Sequence, residues 1–254
     1  MMRFLAVGLC LGLSACDFFE EVRDVFEGLT NPLVSLGMVL GVEPSGGADL
    51  EGTDYEEGVL ASVFLADAGN VNQIDQAPVT GAEVSIQSVA AFDTSTGLYT
   101  ILPTDGLSYQ EEATWRLRIE IGDGAATANL HLPAAASFAP PTQHTAGADL
   151  EVDVSGQDFH SLLVVVLEAE SGDVTWSNEP ETAREFYDFT HGSTEELAVT
   201  IPGDEAFPNQ SAYVVGVAGM KHTGASDLTR MNTALSTLMV GKMVMSPIST
   251  LPVR

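Results

Sequence analysis

The chain has 254 residues, 45% of them hydrophobic, and a formal net charge of −27. That apolar content supports a packed core rather than a disordered polyanion. The charge repels phosphate backbones and anionic lipid headgroups, so it argues against nucleic-acid binding and favours solubility.

The N-terminus carries Arg3 ahead of a short apolar run from Phe4 to Ala15. The run falls short of the roughly 20 apolar residues that span a bilayer, and it has the layout of a secretory signal peptide. Its ending, Leu13-Ser14-Ala15-Cys16, resembles the lipobox of bacterial lipoproteins. The resemblance implies cleavage after Ala15, acylation of Cys16, and a protein held on a bacterial membrane in the cell envelope by that anchor. One acyl chain holds weakly and two hold stably. An ordinary secretory cut would place Leu13 where that site prefers a small residue. Residues 1–15 are therefore read as the signal. Cys10 leaves with it and Cys16 is acylated, so the mature chain holds no disulfide, thiolate zinc site or cysteine nucleophile.

Asp17 to Leu29 reads as a short amphipathic helix, with Phe18, Phe19, Val22, Val25, Phe26 and Leu29 at helical spacing. Leu33 to Val42 reads as a first strand. Glu43 to Gly58 reads as an exposed acidic linker, rich in Gly, Asp and Glu. Residues 16–58 thus hold the anchor, the helix and the linker.

From Val59 onward strand patterns alternate with turn signals. In Thr114 to Ile121, Trp115, Leu117, Ile119 and Ile121 point one way and Arg116, Arg118 and Glu120 the other. Gly122-Asp123-Gly124 turns, and Ala125 to Leu132 returns. Residues 59–133 are expected to form one antiparallel β-sandwich. Residues 134–148, with Pro140-Pro141, are expected to be an exposed linker. Residues 149–254 are expected to form a second sandwich, in which Ser161 to Leu167 is a strand buried on both faces. The fold class is all-β: two tandem Ig-like sandwiches after an N-terminal helix. The stretch Pro78-Val79-Thr80-Gly81-Ala82-Glu83-Val84, followed by Gly97-Leu98-Tyr99, resembles bacterial Ig-like and carboxypeptidase-regulatory-like modules. The second half is similar to fibronectin-III domains in strand spacing. Both resemblances imply spacers or binding surfaces.

No nucleophile elbow, Ser-x-x-Lys, zinc-protease or phosphate-loop motif occurs. The five histidines, His131, His144, His160, His191 and His222, are scattered, none at metal-ligand spacing from another. No catalytic residue and no cofactor are assigned. Asp67, Asn70, Asn72 and Asp75 offer hard oxygen ligands for calcium, without the spacing or closing Glu of an EF-hand; a polar loop is the alternative. Trp176 and Tyr187 fall in or beside a long loop, Ser177 to Ser193, and could contact glycan or peptide. The expected function is a lipid-anchored envelope protein with a structural or protein-interaction role. The alternative is a glycan- or peptide-binding module using the loops of the second sandwich. A hydrolase is the third reading, and a deep pocket holding two histidines or carboxylates would revive it.

Overall fold

The computed structural model describes residues 33–252, apart from 52, 54 and 192–196. The signal, Cys16 and the expected helix at Asp17–Leu29 lie outside the described residues. In chain order the strands are β1 (Leu33–Pro44), β2 (Gly58–Asp67), β3 (Glu83–Ile86), β4 (Val89–Ala90), β5 (Phe92–Asp93), β6 (Leu98–Ile101), β7 (Thr114–Ile121) and β8 (Gly124–His131). There follow β9 (Gln143–Thr145), β10 (Leu150–Asp153), β11 (Ser161–Glu168), β12 (Val174–Ser177), β13 (Ala198–Ile201), β14 (Ala212–His222), β15 (Leu228–Thr229) and β16 (Thr237–Leu251). The fold is all-β, as expected.

The strands do not form two tandem sandwiches. One nine-stranded sheet runs β12-β11-β14-β16-β1-β2-β6-β5, with β9 on the far end of β16. Its centre is a parallel pairing of β1 with β16, from Leu36↔Thr237 to Pro44↔Met245. β1 also pairs antiparallel with β2, and β16 with β14. The sheet therefore passes unbroken between the expected domains, and the boundary at 134–148 is withdrawn. The physical reason lies in β1 and β16 themselves. Both are long and apolar on both faces, which suits the middle of a sheet and not the edge of a small sandwich.

Two smaller sheets cover one face of the large one. The five-stranded sheet β15-β8-β7-β3-β4 lies over β1, β2 and β6, where Trp115, Leu117 and Ile119 meet Val59, Ala61, Val63 and Tyr99. The two-stranded sheet β10-β13 lies over β11 and β14, where Val152 and Ile201 meet Val164, Val166, Tyr213 and Val215. β16 serves both cores from its even positions: Leu238 and Val240 in the first, Ile248 in the second. Alternation along a strand places these on one face and Met239, Met243 and Met245 on the other. On that other face Met38 and Met220 join them.

The opposite face is covered by segments expected to be loops. Leu50 and Tyr55 are buried there, so the stretch between β1 and β2, expected to be an exposed linker, is a strap held to this face at those two residues. The stretch Ser177 to Ser193 contains a helix, Ala183–His191, whose Phe186 enters the same core. Residues 134–148 are likewise not a free linker. Ala136 is buried, and β9 pairs parallel with Ser249–Leu251 of β16.

A shared sheet predicts shared unfolding. Urea denaturation of the full chain should give one transition, and a protease cut between 137 and 142 should not release two independently folded halves. A stable isolated fragment beginning at 149 would contradict the shared sheet.

Candidate functional site

The two covering sheets meet along a seam over the middle of the large sheet. One row of paired residues crosses there: Gly41 of β1, Lys242 of β16 and Gly219 of β14. Each glycine carries an aromatic ring. A Cβ on Gly41 would lie 2.4 Å from the Tyr109 ring, and one on Gly219 would lie 2.5 Å from the Phe159 ring. Tyr109 is further held edge-on to Trp115 at 6.0 Å, and its hydroxyl donates to the Pro133 carbonyl at 2.9 Å.

Lys242 stands between the two glycines with only 18% of its side chain exposed. Burial works against its ammonium. Hydrogen bonds to Glu111 at 2.7 Å and Glu43 at 2.5 Å overcome that and hold its pKa above the usual lysine range. The cation ties the end of β1 to the loop before β7.

Toward the β14 end of the seam opens a groove of about 630 Å³. Four separate stretches line it: 112–113 before β7, 131–135 after β8, 157–160 before β11, and Lys221-His222 at the end of β14. The wall is fixed by Gln157, whose side-chain oxygen accepts from the Ser137 N–H at 2.7 Å while its amide donates to the Ser137 carbonyl at 3.1 Å. Phe159 and Leu132 supply apolar surface.

Three of the five histidines line this groove. His160 and His222 stack, with ring centres 5.0 Å apart and planes 22° from parallel. His160 Nδ1 accepts the His222 backbone N–H at 3.0 Å, so neutral His160 carries its proton on Nε2. His131 is held at both ring nitrogens, by Thr114 Oγ1 at 3.0 Å and by Asp227 Oδ1 at 3.1 Å. Lys221 pairs with Asp158, and this bond holds the Asp158 carboxyl below the usual range. The groove therefore offers fixed imidazoles, one paired cation and an apolar wall.

His222 Nε2 also lies 2.9 Å from Ser161 Oγ. Ser161 is buried and touches Met239 Sδ at 3.8 Å, on the methionine side of the sheet with Leu163 and Val165. It does not line the groove, so the pair orients an imidazole more readily than it presents a nucleophile.

The residues singled out in the sequence are placed elsewhere. Asn70 Oδ1 accepts the Asn72 N–H at 3.1 Å, Asn72 Oδ1 accepts from Arg184 at 3.4 Å, and burial raises the Asp75 pKa. A guanidinium thus stands where calcium was considered. Among the described residues no group of three or more His, Cys, Asp or Glu is placed to hold a metal ion. Trp176 packs on the core beneath β10-β13 and Tyr187 on the methionine side, so the sheet separates them and they share no binding face. The groove was missed because its histidines are far apart in sequence. The one available signal was that each sits at a strand terminus.

No family model matches the chain, and no curated protein matches it. Among solved structures it is similar to an ICAM-5 D1–D4 ectodomain fragment at 9% identity and a TM-score of 0.21, over 87% of this chain. The chain spans about half, 51%, of that fragment's length.

The glycine at 219 generates a prediction. Gly219→Val must displace the Phe159 ring from the sheet, and overpacking of this kind costs about 1–3 kcal/mol. Urea denaturation should show that loss, together with a changed chemical shift for the His160 ring.

Proposed function

We propose that this is a lipid-anchored cell-envelope protein that acts by binding rather than by catalysis, with the seam groove as its contact surface. One observation carries the reading: four distant stretches bring three histidines, a lysine and an apolar wall to a single open groove of about 630 Å³. Convergent polar groups beside apolar surface are what orient a bound ligand. Stacked imidazoles with one fixed tautomer can donate to a hydroxyl or a peptide carbonyl, which supports a glycan or peptide as the ligand. The Leu13-Ser14-Ala15-Cys16 ending supports the membrane anchor.

A second reading, a hydrolase, is favoured by the 2.9 Å approach of His222 to Ser161. It requires Ser161 to become accessible. A fluorophosphonate probe should leave Ser161 unlabelled; labelling that is lost in His222→Ala would make the second reading the better one.

Metabolic labelling with an alkyne fatty acid should tag the wild-type chain and not Cys16→Ser. Equal labelling of both, or of neither, overturns the anchor. On glycan and peptide arrays the chain from Asp17 onward should find a binder whose affinity falls at least about tenfold, roughly 1.4 kcal/mol, in His160→Ala. Binding that is absent, or indifferent to His160, removes the groove from the proposal.

A further inference from the structure

Among the described residues two acidic side chains keep an occluded carboxyl oxygen without a hydrogen-bond partner, Asp75 and Glu179; Asp75 faces the cation of Arg184, whereas Glu179 faces the like charge of Glu181. Glu179 Oε1 is occluded and has no hydrogen-bond partner. Burial pushes its pKa up to about 7, offset in part by a hydrogen bond from Tyr55, while the charge of Glu181 raises it. Tyr55 is itself buried in the strap that crosses this face.

Glu179 sits where the chain leaves the sheet. Just before it, Asn178 extends the edge beside β11: its side-chain oxygen accepts the Val164 N–H at 2.8 Å and its amide donates to the Leu162 carbonyl at 2.8 Å. Just after it begins the helix Ala183–His191, capped by Thr182, whose hydroxyl accepts the Glu185 N–H at 3.1 Å. That helix lies over β1 and β16 and against the 3-10 turn Val71–Gln76. Phe186 is buried with the methionines, and Tyr187 and Phe189 pack beside it. Glu179 is thus the joint between an anchored strand and the cover of a methionine-lined face.

We propose that Glu179 is a proton-operated latch: its neutral acid holds the helix-bearing segment against the sheet, and its ionisation loosens that segment. A buried carboxylate with an unpaired oxygen is costly, whereas the protonated acid is far less so. When the segment lifts, the carboxyl regains water and an ordinary acidity. The lifted state then binds fewer protons than the closed one across the interval from about pH 4.5 to the closed-state value near 7. Opening rises with pH through that interval and levels off above it. Tyr55 from the strap and Glu181 from the same segment act directly on Glu179. Across the helix, Arg184 faces Asp75, whose own carboxyl is raised by burial. Methionine side chains are adaptable, so a lifted cover bares a surface able to take varied apolar partners.

Hydrogen exchange of the full-length chain at pH 5, 6, 7 and 8, corrected for intrinsic rates, tests the latch. The opening equilibrium for residues 181–190 should grow up to about tenfold per pH unit between 5 and 7 and flatten above 7, with β7 unchanged. Glu179→Gln should flatten the profile at every pH. Tyr55→Phe removes a bond that favours the charged form, so it should move the plateau to higher pH. Asp75→Asn should leave the profile intact. Wild-type exchange without this dependence, a profile that persists in Glu179→Gln, or one abolished by Asp75→Asn overturns the latch. If Glu179→Gln does not fold, the direction of the Tyr55→Phe shift decides.

Discussion

The parallel pairing of β1 with β16 is the contact on which the rest of the structure depends. It joins residues 36–44 to residues 237–245 through nine successive pairs. Closing so long a loop costs little more than closing one half its length, since each doubling adds only about 0.6 kcal/mol. The penalty is kinetic: contacts this distant in sequence form slowly. Once formed, the pairing sets β2 on one side and β14 on the other. Each flank then receives its own covering sheet. The seam, the glycine–lysine–glycine row and the groove all exist because two covers share one floor.

How much of this was legible in the sequence depends on the range of each interaction. The strands could be read, because alternation is local: Trp115, Leu117 and Ile119 face one core as their spacing requires. Ser161 to Leu167 is buried on both faces, as its unbroken apolar run implies. The partner of β1 could not be read, since a parallel neighbour some two hundred residues away leaves no local mark. The prolines at 140 and 141 suggested a linker, yet the chain regains the sheet at β9 within a few residues. The helix at Ala183–His191 was hidden in a polar stretch whose few aromatics looked like loop decoration. The groove histidines were visible one by one, and only the topology places them together.

The charge of the molecule gives its few cations unusual weight. The chain contains two lysines, Lys221 and Lys242, and both stand at the junction of the two covers. Lys242 is largely buried and bridges Glu43 and Glu111 from different segments. An exposed pair such as Arg118–Glu120 contributes little, because solvent screens it. Removing a partner from a more buried cation costs more, because the charge that remains is left uncompensated. Both lysines of this acidic protein thus stand at the seam, where Lys242 ties the end of β1 to the loop before β7 and Lys221 ties the end of β14 to the loop before β11.

The two faces of the sheet are held by different means. On the seam face, aromatic rings pack closely on glycines and a lysine is clamped between two carboxylates. On the methionine face, the cover is a strap and one helix without a sheet of their own, and a carboxyl with an unpaired oxygen sits in the joint. Methionines, by contrast, tolerate several packings. Two differently built covers thus lie on opposite sides of the same nine strands. The residues that separate them are the alternating positions of β16, with Val240 turned to one side and Met239 to the other.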